Sequence, residues 1–116
     1  MERVLFLLIG FILVLTNCNK EDVLSGNPDC IERKIYDIAE GEVWNPPAKV
    51  YSYMYNGEIV YYFPSRCCDI PSILYDKNCN AICSPDGGIT GDGNGQCSDF
   101  FNFRTNEKLI WDDIRE

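Results

Sequence analysis

With 116 residues, a net charge of −8, seven cysteines and no histidine, the chain is one domain at most, and its acidity excludes nucleic acid, whose phosphates it would repel. Without histidine the usual neutral-pH general base and the commonest metal ligand are both missing. Ser–His and Cys–His catalysis and mixed Cys–His zinc fingers are therefore excluded too.

The chain opens with Arg3 and an apolar run from Val4 to Thr16. That run is about 13 residues, or ~20 Å as a helix, against a bilayer core of about 30 Å. A basic residue, a short apolar stretch and then small or polar residues is the pattern of an export signal. Leu15-Thr16-Asn17-Cys18 resembles a lipobox, the motif of bacterial lipoproteins in which the cysteine is diacylated and becomes the new N-terminus. Asn17 stands where Gly, Ala or Ser is usual. The resemblance implies a signal peptide over 1–17, acyl chains on Cys18 and a membrane as partner. Each acyl CH₂ buried in the bilayer contributes about 0.8 kcal/mol, so two or three chains anchor durably. Lys20-Glu21-Asp22 resembles the surface-export signal of Bacteroidota-type lipoproteins, which implies an outer-membrane protein displayed outward. Residues 18–27 read as the lipidated cysteine and a flexible tether, and 28–116 as the domain.

Asn27-Pro28-Asp29 is a helix-start signal, with Asn as N-cap, Pro at the first helical position and an acidic first turn. Ile31, Ile35 and Ile38 then form one apolar stripe, and Gly41 suits the stop. The spacing predicts a helix over 28–40, followed by an extended connector at Trp44-Asn45-Pro46-Pro47. Val50 to Tyr55 and Glu58 to Phe63 flank Asn56-Gly57, and Asn-Gly between two β-rich runs predicts a type I′ hairpin. Its two-residue loop sets Tyr55 opposite Glu58, Met54 opposite Ile59, Tyr53 opposite Val60 and Tyr51 opposite Tyr62. One face then carries Val50, Ser52, Met54, Ile59, Tyr61 and Phe63, and is expected to be core. The other carries Tyr51, Tyr53, Tyr55, Val60 and Tyr62, a ladder placed either under the helix or toward solvent. A second hairpin is expected from Ile73–Asp76 and Ala81–Cys83. Residues 84–97 hold too many glycines for helix or regular strand. Ser98-Asp99 suits the cap of a short helical turn bearing Phe100, Phe101 and Phe103, and Leu109-Ile110-Trp111 a terminal edge strand.

Apart from Cys18, the six cysteines Cys30, Cys67, Cys68, Cys79, Cys83 and Cys97 read as a disulfide framework in an exported chain. Sequence does not choose among the connectivities. A Cys67–Cys68 bridge is disfavoured by strain in the peptide between them. Cys79, at the tip of the second hairpin, needs a distant partner, for which Cys30 is one candidate. In the glycine-rich loop Asp92-Gly93-Asn94-Gly95-Gln96 faintly echoes a calcium loop, with Asp92 and Asn94 as the metal candidates, although the third acidic residue and the bidentate Glu are missing. Asp112, Asp113 and Glu116 read as a solvated tail. Tyr51, Tyr53, Tyr55 and Tyr62 serve either as core or as a face for a protein or glycan partner.

From Val43 to Trp111 the chain resembles a family of small uncharacterised Bacteroidota-type lipoprotein domains. The matching residues are Val43-Trp44-Asn45-Pro46-Pro47, Tyr61-Tyr62-Phe63-Pro64 with Cys67-Cys68-Asp69, Leu74-Tyr75-Asp76, Cys83-Ser84-Pro85-Asp86-Gly87-Gly88-Ile89-Thr90-Gly91, Cys97-Ser98-Asp99-Phe100 and Leu109-Ile110-Trp111. The likeness implies class and location and brings no activity. The expected architecture is a disulfide-rich α+β domain, an N-terminal helix packed on short antiparallel hairpins with a glycine-rich loop. The expected role is a non-catalytic binding or accessory module without a cofactor. A calcium-stabilised structural module and a small hydrolase are the alternatives.

Overall fold

The computed structural model describes residues 26–67 and 69–115. The expected signal peptide, Cys18, most of the tether and Cys68 lie outside the described residues. Helix α1 spans Asp29–Glu40 and begins one residue later than its N-cap signal implied. Pro28 holds the cap position, and its carbonyl accepts the N–H groups of Ile31 and Glu32 at 3.0 Å each. The Asn27 side chain is not the cap and instead donates to Glu32 Oε2 at 2.9 Å. Gly41 does end the helix, but in an extended conformation, with its N–H on the Ile38 carbonyl.

Strands β1 (Lys49–Tyr55) and β2 (Glu58–Phe63) form the expected hairpin with the expected register, Tyr55 to Glu58 through Tyr51 to Tyr62. Asn56 and Gly57 have φ of 52° and 81°, the positive pair that a type I′ turn requires. Strands β3 (Ile73–Tyr75) and β4 (Ala81–Cys83) form the second hairpin. Its turn is held by Asp76, whose carboxylate accepts the N–H groups of Asn78 and Asn80. Helix α2 is the short turn Phe100–Phe103, and β5 is Thr105–Asp112.

The hairpins do not remain separate units under the helix. Strand β3 pairs with β2 and β5 returns along β1, giving one antiparallel sheet in the order β4-β3-β2-β1-β5. The fold is mostly sheet, with one helix layer. Merging the hairpins satisfies the backbone groups that two isolated ribbons would leave on their inner edges.

Both faces of this sheet are covered, and the tyrosine ladder lies neither under α1 nor toward solvent but beneath Phe100 and the glycine loop. On one side Ile31 and Ile35 of α1 pack on Val50 and Tyr61. On the other, Tyr53, Tyr55, Val60, Tyr62 and Leu74 pack beneath Phe100, Cys83 and Cys97. Ile59, expected in the core, is 51 % exposed beside the hairpin turn. The disulfides follow the same layering. Cys30–Cys79 ties α1 to the β3–β4 turn across 49 residues, and Cys83–Cys97 ties β4 to the end of the glycine loop across 14. Cys67 is disulfide-bonded as well.

The C-terminal tail is not simply solvated. Asp113 is 4 % exposed, and its carboxylate takes the guanidinium of Arg115 at 2.8 Å. Arg115 also donates to the Gly41 carbonyl at 2.9 Å, setting a cation on the carbonyl end of α1 where the helix dipole favours it. Among the described residues no helix is long and apolar enough to cross a membrane.

Candidate functional site

Tyrosine dominates the sheet face opposite α1, and the packing divides its tyrosines by role. Phe100 stands edge-on to Tyr53 and Tyr55, with ring centroids 5.4 and 5.2 Å apart. The ring T-contacts account for the burial, and each hydroxyl then needs a partner. Tyr53 donates to Glu107 at 2.9 Å, Tyr62 donates to Asp86 at 2.8 Å, and Tyr55 donates to Asp99. Burial first, then the bond to Glu107, pushes the Tyr53 hydroxyl up to about 12. Burial and the Asp86 bond push Tyr62 up further. For Tyr55 the Asp99 bond is the main cause of a rise.

Tyr53, Tyr55 and Tyr62 are therefore core and not a presented binding face, because 3–7 % exposure leaves a partner nothing to touch. Tyr51 is the exception. It is half-buried, stacked on Tyr53 at 6.1 Å between centroids and tilted against Tyr62 at 6.5 Å.

Tyr51 lines a groove of about 320 Å³ with Trp44, Pro46, Pro47, Pro64 and Lys49. The sequence reading took Trp44-Asn45-Pro46-Pro47 only for a connector. The structure makes it one wall of the groove, entered through a cis Asn45–Pro46 bond. The guanidinium of Arg66 lies 5.8 Å from the Trp44 ring centroid. Among the described residues neither Lys49 nor Arg66 has a carboxylate within ion-pair distance, the pair formed there being Arg115–Asp113. Three prolines and two aromatic residues line this apolar surface, with Lys49 on it and Arg66 beside Trp44. A larger open groove of about 620 Å³ lies between α1 and Trp111, with Asp29, Glu32, Arg33 and Tyr36 along it. Its lining also holds two aromatic side chains, Tyr36 and Trp111, set among the charged residues of the helix flank.

The calcium candidates do not converge. Asn94 Oδ1 is occupied, accepting the N–H groups of Ser84 at 3.2 Å and Gln96 at 3.1 Å, while the Asp92 N–H bonds Thr90 Oγ1. These are side chains closing their own loop, as Asx residues commonly do. No group of three or more His, Cys, Asp or Glu is placed to hold a metal among the described residues. The loop packs back on the sheet through Asp86, whose carboxylate accepts the Tyr62 and Ser72 hydroxyls.

The fold and this site define a small disulfide-crosslinked α+β domain with a covered tyrosine face and an open groove lined by Trp44 and Tyr51. Residues 36–113 match the family described as Domain of unknown function (DUF6970), and the chain belongs to that family. The match begins within α1, so Cys30 precedes it while Cys79 falls inside. No curated protein and no solved structure matches the chain.

Proposed function

We propose that the chain is the precursor of a lipid-anchored cell-envelope protein of Bacteroidota type, acylated on Cys18 and displayed at the outer membrane surface. There it serves as a non-catalytic binding module. The observation that carries this reading is the pair of disulfides, Cys30–Cys79 and Cys83–Cys97, behind a leader ending in a lipobox-like Leu15-Thr16-Asn17-Cys18. Disulfides persist in exported proteins and are rare in the reducing cytosol, so the bonds and the leader support the same address.

Tyr51 and Trp44 support the binding half of the reading. Aromatic side chains supply large contact area at little conformational cost, which is why they dominate binding hot spots. The domain is entered at Gly26 and Asn27, beside Ile59 and Tyr61, near the turn end of the first hairpin. The Tyr51 groove lies toward the hairpin's other end and on the opposite face of the sheet, since Tyr61 packs with α1 and Tyr51 with the tyrosine layer.

Intact mass of the native protein tests the address. Loss of residues 1–17, addition of acyl mass on Cys18 and oxidised thiols are expected. An unprocessed chain with free sulfhydryls overturns it.

A further inference from the structure

The Tyr51 groove has a chemistry specific enough to name its ligand, and the argument rests on the binding-module reading above. We infer that the groove takes an anionic saccharide, a sugar ring lying on Trp44 and Tyr51 with its acidic substituent toward Arg66 and Lys49.

Three features of the site carry this. First, the groove presents two aromatic rings. Tyr51 is held by its stacking on Tyr53, and Trp44 lines the same groove, two residues ahead of Pro46 and Pro47. A pyranose presents flat patches of C–H that suit such faces, and a preset surface spares the ordering cost of binding.

Second, the charge at this site opposes that of the molecule. The chain carries −8 overall, yet the groove is bordered by Lys49 and Arg66. Asp112 sits across the ladder from Lys49 without forming an ion pair. Two cations that form no ion pair with a carboxylate among the described residues, at the rim of an apolar groove, are complementary to an anion that brings its own apolar ring. Arg66 over Trp44 also keeps its guanidinium fork free for bidentate capture of a carboxylate.

Third, the walls do not suit a peptide docking through its backbone. Pro46, Pro47 and Pro64 have no N–H to offer, and strand addition needs a row of donors and acceptors. The open edge of β5 is ill-suited to that role as well. Register shifts interrupt its pairing between Val50 and Tyr51 and between Ser52 and Met54, and Asn106 sits at φ 55°, features that blunt an edge.

The test is fluorescence titration of the purified full-length mature protein in detergent with oligogalacturonate, cello-oligosaccharide of matched length, and polyglutamate. Saturable binding of oligogalacturonate, at least about 10-fold tighter than the neutral sugar, is expected. Arg66→Gln and Trp44→Ala should each weaken it by about 10-fold or more, and Tyr51→Phe, which keeps the stack, should hold affinity within about 3-fold. Equal affinity for the neutral sugar, or for polyglutamate, overturns the saccharide assignment while the Trp44 effect preserves the groove as a binding site. Binding unchanged in both Trp44→Ala and Arg66→Gln, with unchanged circular dichroism, overturns the groove as well. So does an absence of saturable binding to all three probes.

Discussion

The hydroxyl of Tyr62, in the middle of the sheet, donates to the carboxylate of Asp86 in the glycine loop at 2.8 Å, and the same oxygen accepts the hydroxyl of Ser72. One carboxylate thus fastens the loop to β2 and to the entry of β3. Removing the acceptor leaves the buried Tyr62 hydroxyl unpaired and Ser72 with only the Asp86 backbone carbonyl, whereas removing the Tyr62 hydroxyl leaves a carboxylate that still holds Ser72. Asp86→Ala should therefore cost about 3 kcal/mol and Tyr62→Phe about 1 kcal/mol. Urea unfolding of both variants gives these differences, and hydrogen exchange should place the loosening in residues 84–97.

Gly93 is a steric requirement of the same loop. A Cβ there would lie 1.9 Å from the Ser84 carbonyl oxygen and 2.8 Å from the Asp86 nitrogen, contacts that only backbone movement relieves. Gly91 has a similar positive φ, 86°, but open space around it. Gly91→Ala should cost about 1 kcal/mol, the strain of a left-handed alanine. Gly93→Ala should cost at least about 3 kcal/mol, because the loop must leave β4. Equal melting temperatures for the two variants would show that the loop does not pack as described.

Cys30–Cys79 and Cys83–Cys97 close loops of different length, 49 and 14 residues. On the chain-entropy account they restrict the unfolded state by about 4 and about 3 kcal/mol respectively. The double substitution Cys30→Ser with Cys79→Ser should lower stability by the larger amount and free α1 from the β3–β4 turn. Losing Cys83–Cys97 releases β4 from the loop that covers the tyrosines. That variant should show greater exposure of Tyr55 and Tyr62 to solvent quenchers than the first.

Much of this architecture is legible in the sequence because short-range rules specify it. Asn56-Gly57 dictates both the turn and every pairing from Tyr51 to Glu58, and the Ile31 and Ile35 spacing marks the buried stripe of α1. The layer over the tyrosines is not legible. Gly87, Gly91 and Gly93 all take positive φ, and irregular backbone has no periodicity that announces what it will cover. Alternation assigns Tyr53 and Tyr62 to a face but is silent on whether a loop will close it. The Trp44 groove was missed for a related reason. Two prolines read as a connector until tertiary packing sets Pro64 and Tyr51 opposite them. Asp113 looked like part of a solvated tail because its burial depends on Arg115 reaching back to Gly41, a contact spanning nearly the whole domain.

Ionisation of the buried phenols sets the alkaline limit of the fold. Tyr53 rises from an ordinary 10.0 to about 12, first through burial and then through Glu107, and Tyr62 rises through burial and Asp86. A phenol whose proton is held more tightly in the folded state stabilises fully below the unfolded value. Between pH 10 and about 12 the unfolded chain releases that proton while the native domain keeps it, so stability must fall as pH rises through this window. Urea midpoints measured across the interval should decline with a slope that Tyr53→Phe reduces. In a native-state absorbance titration Tyr53 and Tyr62 should ionise only as the cover formed by Phe100 and the glycine loop is lost, so their absorbance change should coincide with unfolding. Ionisation of Tyr53 and Tyr62 at the ordinary phenol value, ahead of unfolding, would mean that the face lies open, and with it the division between core and groove would fail.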